Sequence, residues 1–474
     1  MLMVAFTGCK KLLEVKPDSQ ITEQLYFQNE SDYAPYVTGM YSSMRSLVGS
    51  VQALTYGTER SEELTIATTN RLTTAWSHIL SPTTGAFNYS NYYKAIGNCN
   101  LLLEKIEPFP FSNAAAKNRL KAETYALRAF YYLQLVRIIG DTPLMLEAIT
   151  DDNVPLLPRA KTADVIKQIV ADADMAGSLF PEKTFISKNR FSYPAIQALK
   201  AEALIWSAKV AAGGATDFNG ALTAIAEVEK AGLTLLDNVR AITTTRSNSE
   251  IILAAYYNRD ETAANYAVNA LPFLSNLQTA TNLDSIPYAI TSANGQAGFQ
   301  ISVLSRGLFS GLPNDKRIPN TFIIERQGTV QKTAWITKYP GNKYTDDRIA
   351  DNDIIIYRLA DIYLMAAEAH AGLNTTSMAI AYLNKVRGRA GNGDYTGATD
   401  KASVELEIFK ERGRELFFEN KRWYDVVRFH YGKTIDAYTY IPNLKSKTTP
   451  LFWPLSTTIL SVNPSLKQTE GYVN

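Results

Sequence analysis

Apolar residues recur along much of the chain at helical spacing. From Lys121 to Ile139, the residues Ala122, Ala126, Ala129, Leu133 and Val136 fall on one face, and Gly140 followed by Pro143 supplies a stop. A second stripe opens at Pro194, a residue favoured in the first helical turn, and runs through Ile196, Leu199, Ala203, Trp206 and Val210 to Gly213 and Gly214. A further helix over about 221–230 ends before Gly232, so these two predict a helix hairpin. The pattern returns as a helix over 354–370, a turn at Gly372, Leu373 and Asn374, and a helix over 378–389. The first of that pair is apolar nearly all round, with Arg358, Asp361 and Glu368 on one polar stripe, which places it deep in the protein.

Small residues where such helices would cross, among them Ala366, Ala367 and Ala379, make the pairs resemble tetratricopeptide units, although no strict period can be followed. The expected fold is mainly α, with tetratricopeptide-like helix pairs forming a scaffold and a loop-rich, irregular ligand-binding region. That region corresponds to two helix-poor stretches, about 55–89 and 240–345, rich in Thr, Asn, Gly, Ser and Tyr. Long irregular segments in a helical protein are where ligands commonly bind.

A chain of 474 residues with 46% apolar content can bury a substantial core. Its 48 basic and 46 acidic side chains nearly cancel, so no net field favours nucleic acid, and none is expected as a partner. The first residues, Met1 to Gly8, form a short apolar run ending in small residues just before Cys9. This reads as the remnant of a bacterial lipoprotein signal over 1–8, too short to span a bilayer, with Cys9 carrying lipid and a single domain over 9–474. Lipidation of Cys9 leaves Cys99 without an internal disulfide partner, so stability must come from packing; Cys99 itself is expected in the core.

Candidate chemistry concentrates first in the segment 411–428, where Glu411, Glu415, Glu419 and Asp425 alternate with Arg412, Arg414, Arg422 and Arg428. An arginine three or four residues from each glutamate keeps it ionised, which suits an ion-pair network and not a general acid. His78, His370 and His430 make no metal-ligand pair, and no phosphate loop or nucleophile elbow is present, so no metal, cofactor or catalytic role is expected. A glycoside hydrolase would need two carboxylates facing across a cleft, and Glu62 and Glu63 are merely adjacent. Binding a sugar asks instead for flat rings beside amide, carboxylate and guanidinium groups. Trp206, Trp423 and Trp453 read as packing residues. Trp76 lies in the first helix-poor stretch, with Asn70 and Arg71 before it and His78 after it, and is the leading ligand contact. Tyr288 and Trp335 are further candidates from the second stretch, with Asn294 and Gln296 as assisting groups.

The run from Glu411 through Arg412, Glu415, Leu416, Phe418, Glu419, Arg422, Trp423 and Asp425 to Arg428 resembles the signature of the SusD/RagB family of nutrient-binding outer-membrane lipoproteins of Bacteroidota. Asn91, Tyr92, Tyr93, Ile96 and Asn100, then Glu123 and Arg128 through Tyr132 to Pro143, are similar to its N-terminal half. Tyr357 to Leu364 with Glu368, Leu383 to Arg387 with Arg389, and the closing Pro454, Asn463, Pro464 and Gly471 follow in the family's order. Two departures stand out: no basic residues precede the apolar run, and Gly413 occupies a position often charged or polar. The resemblance implies a lipid-anchored protein on the outer face of the outer membrane. It would capture an oligosaccharide, or in some members a peptide, and cap a SusC-like TonB-dependent transporter. Ligand residues vary within the family, so none is carried over from the signature.

Overall fold

The computed structural model describes residues 26–67, 73–149, 154–261, 264–288 and 297–473. Its longer helices are α1 (Tyr33–Val48), α2 (Ser90–Ile106), α3 (Ala114–Ile139), α4 (Thr162–Leu179), α5 (Tyr193–Val210), α6 (Gly214–Glu229), α7 (Leu359–Gly372), α8 (Thr376–Ala390), α9 (Lys401–Glu415) and α10 (Arg422–Tyr431). Six short strands matter for the site: β1 (Leu64–Ile66), β2 (Ile251–Ala255), β3 (Phe299–Ile301), β4 (Phe322–Gln327), β5 (Val330–Ile336) and β6 (Ile354–Arg358).

Local chemistry accounts for the helix limits. Asn113 caps α3 by accepting from the Ala116 amide at 3.1 Å, and Gly140 ends it at φ +72°. The helix starts before the expected Lys121 because its first turns lie at the surface, outside the buried stripe that begins at Leu120. Likewise α6 starts at Gly214, ahead of its first buried residue, Phe218. The helices α3 and α4, α5 and α6, and α7 and α8 pack as neighbours, and α7 also packs on α6, so the second and third pairs stack. One hydrophobic cluster reaches from Tyr33 to Leu466 and includes Cys99, Trp206, Trp423 and Trp453.

One expected helix is corrected. Residues 354–358 form β6, and α7 begins only at Leu359. Three consecutive isoleucines favour an extended backbone, and β6 pairs antiparallel with β2, each strand being buried throughout. The placement deep in the protein is as expected. Arg358 therefore ends a strand with extended backbone at φ −148°, and its side chain enters the protein interior.

There it centres a lattice of charges. Its guanidinium donates to Glu250 Oε1 at 2.8 Å, to Glu415 Oε1 at 2.5 Å and to Glu419 Oε1 at 2.8 Å. Glu415 also holds Arg389, and its second oxygen accepts from Arg317 at 2.9 Å; Arg317 in turn reaches Asp315 at 2.6 Å and Glu411 at 2.7 Å. A second group joins Asp361 to Arg412 at 2.9 Å and Lys421 at 2.8 Å, Asp425 to Arg412 and Arg428, and Glu368 to Arg428 and Lys209. The signature segment is thus an ion-pair network, but mostly a tertiary one. Its helix does not continue to Glu419: α9 stops at Glu415, and Phe418 and Asn420 adopt positive φ of 59° and 55° before α10 begins. That break lets Glu419 meet Arg358 beside Glu415. Gly413 also gains a reason, since a Cβ there would lie 2.9 Å from Arg422 Cζ and 2.8 Å from Leu308 Cδ1, blocking the path by which Arg422 reaches Glu62.

Burial alone would raise the carboxyl pKa values, yet Arg389, Arg358 and Arg317 hold Glu415 well below the usual range, and Arg428 and Lys209 hold Glu368 at about 2. Carboxylates with depressed folded-state pKa stabilise the protein above their unfolded values and lose that contribution as pH falls. Stability should therefore drop between about pH 4.5 and 2, and Glu368→Gln should flatten that part of the profile in urea titrations. Glu415→Ala, which leaves three arginines facing no carboxylate at that position, should cost about 3–5 kcal/mol at neutral pH by the same measurement.

Candidate functional site

The two helix-poor stretches meet in space. β1 pairs antiparallel with β3, Leu64 opposite Ile301 and Ile66 opposite Phe299. The Gln300 side chain then bridges β1 and β5, donating to Ile66 O at 3.0 Å and accepting from the Ala334 amide at 2.9 Å. Beside this small assembly runs the turn that carries Trp76. Thr73 Oγ1 donates to Glu59 at 2.6 Å and accepts from the Trp76 amide at 3.0 Å, while Trp76 Nε1 donates to Leu64 O at 3.0 Å. The indole edge is pinned to β1, and the ring stays half-buried on the wall of a cleft of about 640 Å³.

Leu64, Thr65, Val303, Leu304 and Leu308 form the cleft's other walls near the tryptophan. Val303 and Leu304 are 73% and 38% exposed, so this edge is apolar and open to solvent. Glu62 and Tyr440 line a more polar part: Glu62 Oε1 takes Arg422 at 2.5 Å and the Tyr440 hydroxyl at 2.9 Å, and Glu62 Oε2 is buried with no hydrogen-bond partner. Glu63 does not join it. Its Oε2 accepts from the Phe418 amide at 3.2 Å, and burial raises its pKa well above the carboxylate range. Only one of these two acids lines the cleft, and it is ion-paired, so the pair does not supply facing acid and base groups.

The other expected contacts fall into place differently. Trp335 needs correction: its ring is fully buried in a cluster with Leu277, Ile286 and Ala297, and its Nε1 donates to buried Glu325 at 2.9 Å. The end of β5 is covered on both faces, with Ala334 and Ile336 in the main core and Trp335 in this smaller cluster, so the ring has no open side for a ligand. Tyr288 packs half-buried on the same cluster, as does Ala67. His78 is also corrected. It is buried at φ +51°, accepts from Arg60 Nε at 3.3 Å and packs on Trp423, and burial followed by the Arg60 and Lys447 charges lowers its pKa to about 2. Asn70, Arg71, Asn294, Gln296 and Cys9 lie outside the described residues. Sequence reasoning missed Val303 and Leu304, although two large aliphatics side by side in a polar, helix-poor stretch are a visible signal.

Among the described residues, no cluster of His, Cys, Asp and Glu could hold a metal ion, and no helix is long and apolar enough to cross a membrane. Stacked helix pairs carrying a ligand-sized cleft built from loops and short strands define a helical-scaffold protein. Residues 324–472 match the SusD family, and residues 11–203 match a family described as starch-binding associating with outer membrane. The chain belongs to the SusD family. It is similar to SusD-like protein P38 of Formosa agariphila, 25% identical over 506 aligned positions that cover 98% of this chain and 96% of that one. Among solved structures it resembles a SusD superfamily protein from Bacteroides fragilis at TM-score 0.82 and 22% identity, covering 94% of this chain and all of the other. A laminarin binding SusD-like protein superposes at TM-score 0.75 and 23% identity, covering 94% of this chain and 100% of that one. The mainly α, tetratricopeptide-like architecture expected from the helix pairs is the fold observed.

The two tryptophans should separate in a stability assay. Trp335→Ala should cost about 3–5 kcal/mol, because it empties a buried site and orphans Glu325, whereas Trp76→Ala should cost distinctly less; urea unfolding of both variants checks this.

Proposed function

We propose that the protein is a surface glycan-binding lipoprotein, anchored through Cys9 to the outer membrane and facing the exterior. It captures an oligosaccharide without cleaving it and delivers it to a SusC-like TonB-dependent transporter. The observation that carries this reading is the half-buried ring of Trp76, pinned by its Nε1 to β1 on the wall of a ligand-sized cleft. A ring held in this way covers the C–H face of a pyranose at little entropic cost. Glu62 and the Tyr440 hydroxyl that donates to it line the same cleft and would offer polar contacts to sugar hydroxyls. Asn70 and Arg71, close before Trp76 in sequence, would add polar contacts, and Tyr288 would contribute from the second stretch. The family descriptions, starch-binding and outer-membrane associating, support the same reading, as does the laminarin binding neighbour.

A second reading is a peptide-capturing protein of the same architecture. The exposed aliphatic edge of Val303 and Leu304 favours it, since such an edge suits an apolar side chain better than a sugar hydroxyl. Glycan arrays run beside peptide libraries distinguish the two. For a glycan hit, calorimetry should show Trp76→Ala weakening binding about fivefold or more, equivalent to about 1 kcal/mol of lost stacking, with the circular dichroism spectrum unchanged. Equal affinity in the variant would remove Trp76 from the site, and chain shortening of a labelled oligosaccharide would overturn the non-catalytic role.

A further inference from the structure

A second cleft, of about 700 Å³, lies between the end of α10, the 139–162 connection and the C-terminal segment, and shares no residue with the Trp76 cleft. Tyr431 stands on its wall. At 44% exposure it is the one aromatic side chain among the described residues that is more than about a third exposed, and Phe452 and Tyr438 line the same cleft. The Tyr431 and Phe452 ring centres are 6.0 Å apart. Exposed rings beside hydrogen-bonding groups are the surface a sugar ring stacks upon.

The charges here differ from those elsewhere in the molecule. Arg159 lines the cleft and donates only to carbonyl and hydroxyl oxygens: Asp141 O at 2.6 Å, Ile139 O at 2.5 Å, Lys467 O at 3.1 Å and Thr469 Oγ1 at 3.2 Å. Immediately behind the wall, Arg60 is fully buried and donates to Pro450 O and Leu451 O, each at 2.7 Å, and both of those residues line the cleft. Among the described buried arginines, Arg60 alone has no carboxylate within ion-pair distance; the others are matched in pairs or in the lattice around Glu415. Burial lowers the pKa of both guanidiniums, that of Arg60 to about 10, and at Arg159 the nearby Asp141 charge offsets this only in part. Of the wall carboxylates, Asp141 is occupied by Lys161 and the Thr162 amide, which leaves Lys467 and Arg159 against Glu470.

We propose that this cleft is a second saccharide site, selective for chains bearing a carboxylate or sulfate group: a sugar ring stacks on Tyr431 while the acid group lies toward Arg159 and Lys467. The inference rests on the saccharide-binding reading above but uses none of its residues. Isothermal titration of the full chain with tetragalacturonate, a sulfated galactan tetrasaccharide and neutral laminaritetraose tests it. At least one of the acidic oligosaccharides should bind, with affinity falling as salt rises. Tyr431→Ala should weaken it about tenfold, Lys467→Ala about three- to fivefold, and Trp76→Ala less than about twofold. The Tyr431 and Lys467 variants replace exposed side chains, and circular dichroism checks the fold of all three. The second site is overturned if neither acidic oligosaccharide binds at millimolar concentration, if Tyr431→Ala binds as well as the parent, or if Trp76→Ala abolishes the binding. Those results leave the Trp76 reading standing, because that reading is decided separately by glycans whose binding depends on Trp76.

Discussion

Everything in this molecule is hung on the charge lattice around Arg358. A guanidinium with no solvent exposure is tolerated only when opposite charge surrounds it, and Glu250, Glu415 and Glu419 do so from two separate parts of the chain. Those carboxylates are in turn shared with Arg389, Arg317 and Lys338, so no pair can form alone. The lattice ties β6, the break between α9 and α10, and the entry to β2 into one body. Desolvation offsets much of what such a network gains over an apolar core, but the network is highly specific about geometry, because any misplacement leaves a buried charge unmatched.

That geometry places the candidate site. Arg422 runs from the start of α10 past Gly413 to Glu62, fixing the residues that lead into β1. β1 receives β3, Gln300 passes the register on to β5, and Leu64 O holds the Trp76 indole. A chain of short, local bonds thus joins the buried lattice to the one tryptophan in the described structure whose ring is not buried. The SusD-family scaffold supplies rigidity, and the loops and short strands laid over it supply the surface that meets a ligand.

Much of this was legible from residue order alone. The helix pairs, the packing roles of Trp206, Trp423 and Trp453, the burial of Cys99 and the ion pairing of the charges at 411–428 follow from periodicity and from arginine–glutamate spacing. What escaped depended on tertiary pairing. The stretch 354–358 has the apolar content of a buried helix or a buried strand, and only its partner β2 decides between them. The charges at 411–428 advertise helical i,i+4 pairs, but their partners lie at Asp315, Arg317, Arg358 and Asp361, which no local pattern reveals. Trp76 and Trp335 look alike in sequence, both in polar, helix-poor stretches. Their fates separate because both faces of β5 are covered where Trp335 lies, while the turn after β1 leaves Trp76 half-buried.

The central claim is that a charge-locked body presents the Trp76 cleft for binding and takes no other part in recognition there. Hydrogen–deuterium exchange of the full chain, with and without a bound neutral oligosaccharide, addresses it directly. The account predicts added protection confined to the segments around β1, Trp76 and residues 299–308, with 358–372 and 411–428 already protected and unchanged. Protection appearing on the helix pairs or the signature segment, with the cleft unaffected, would contradict it.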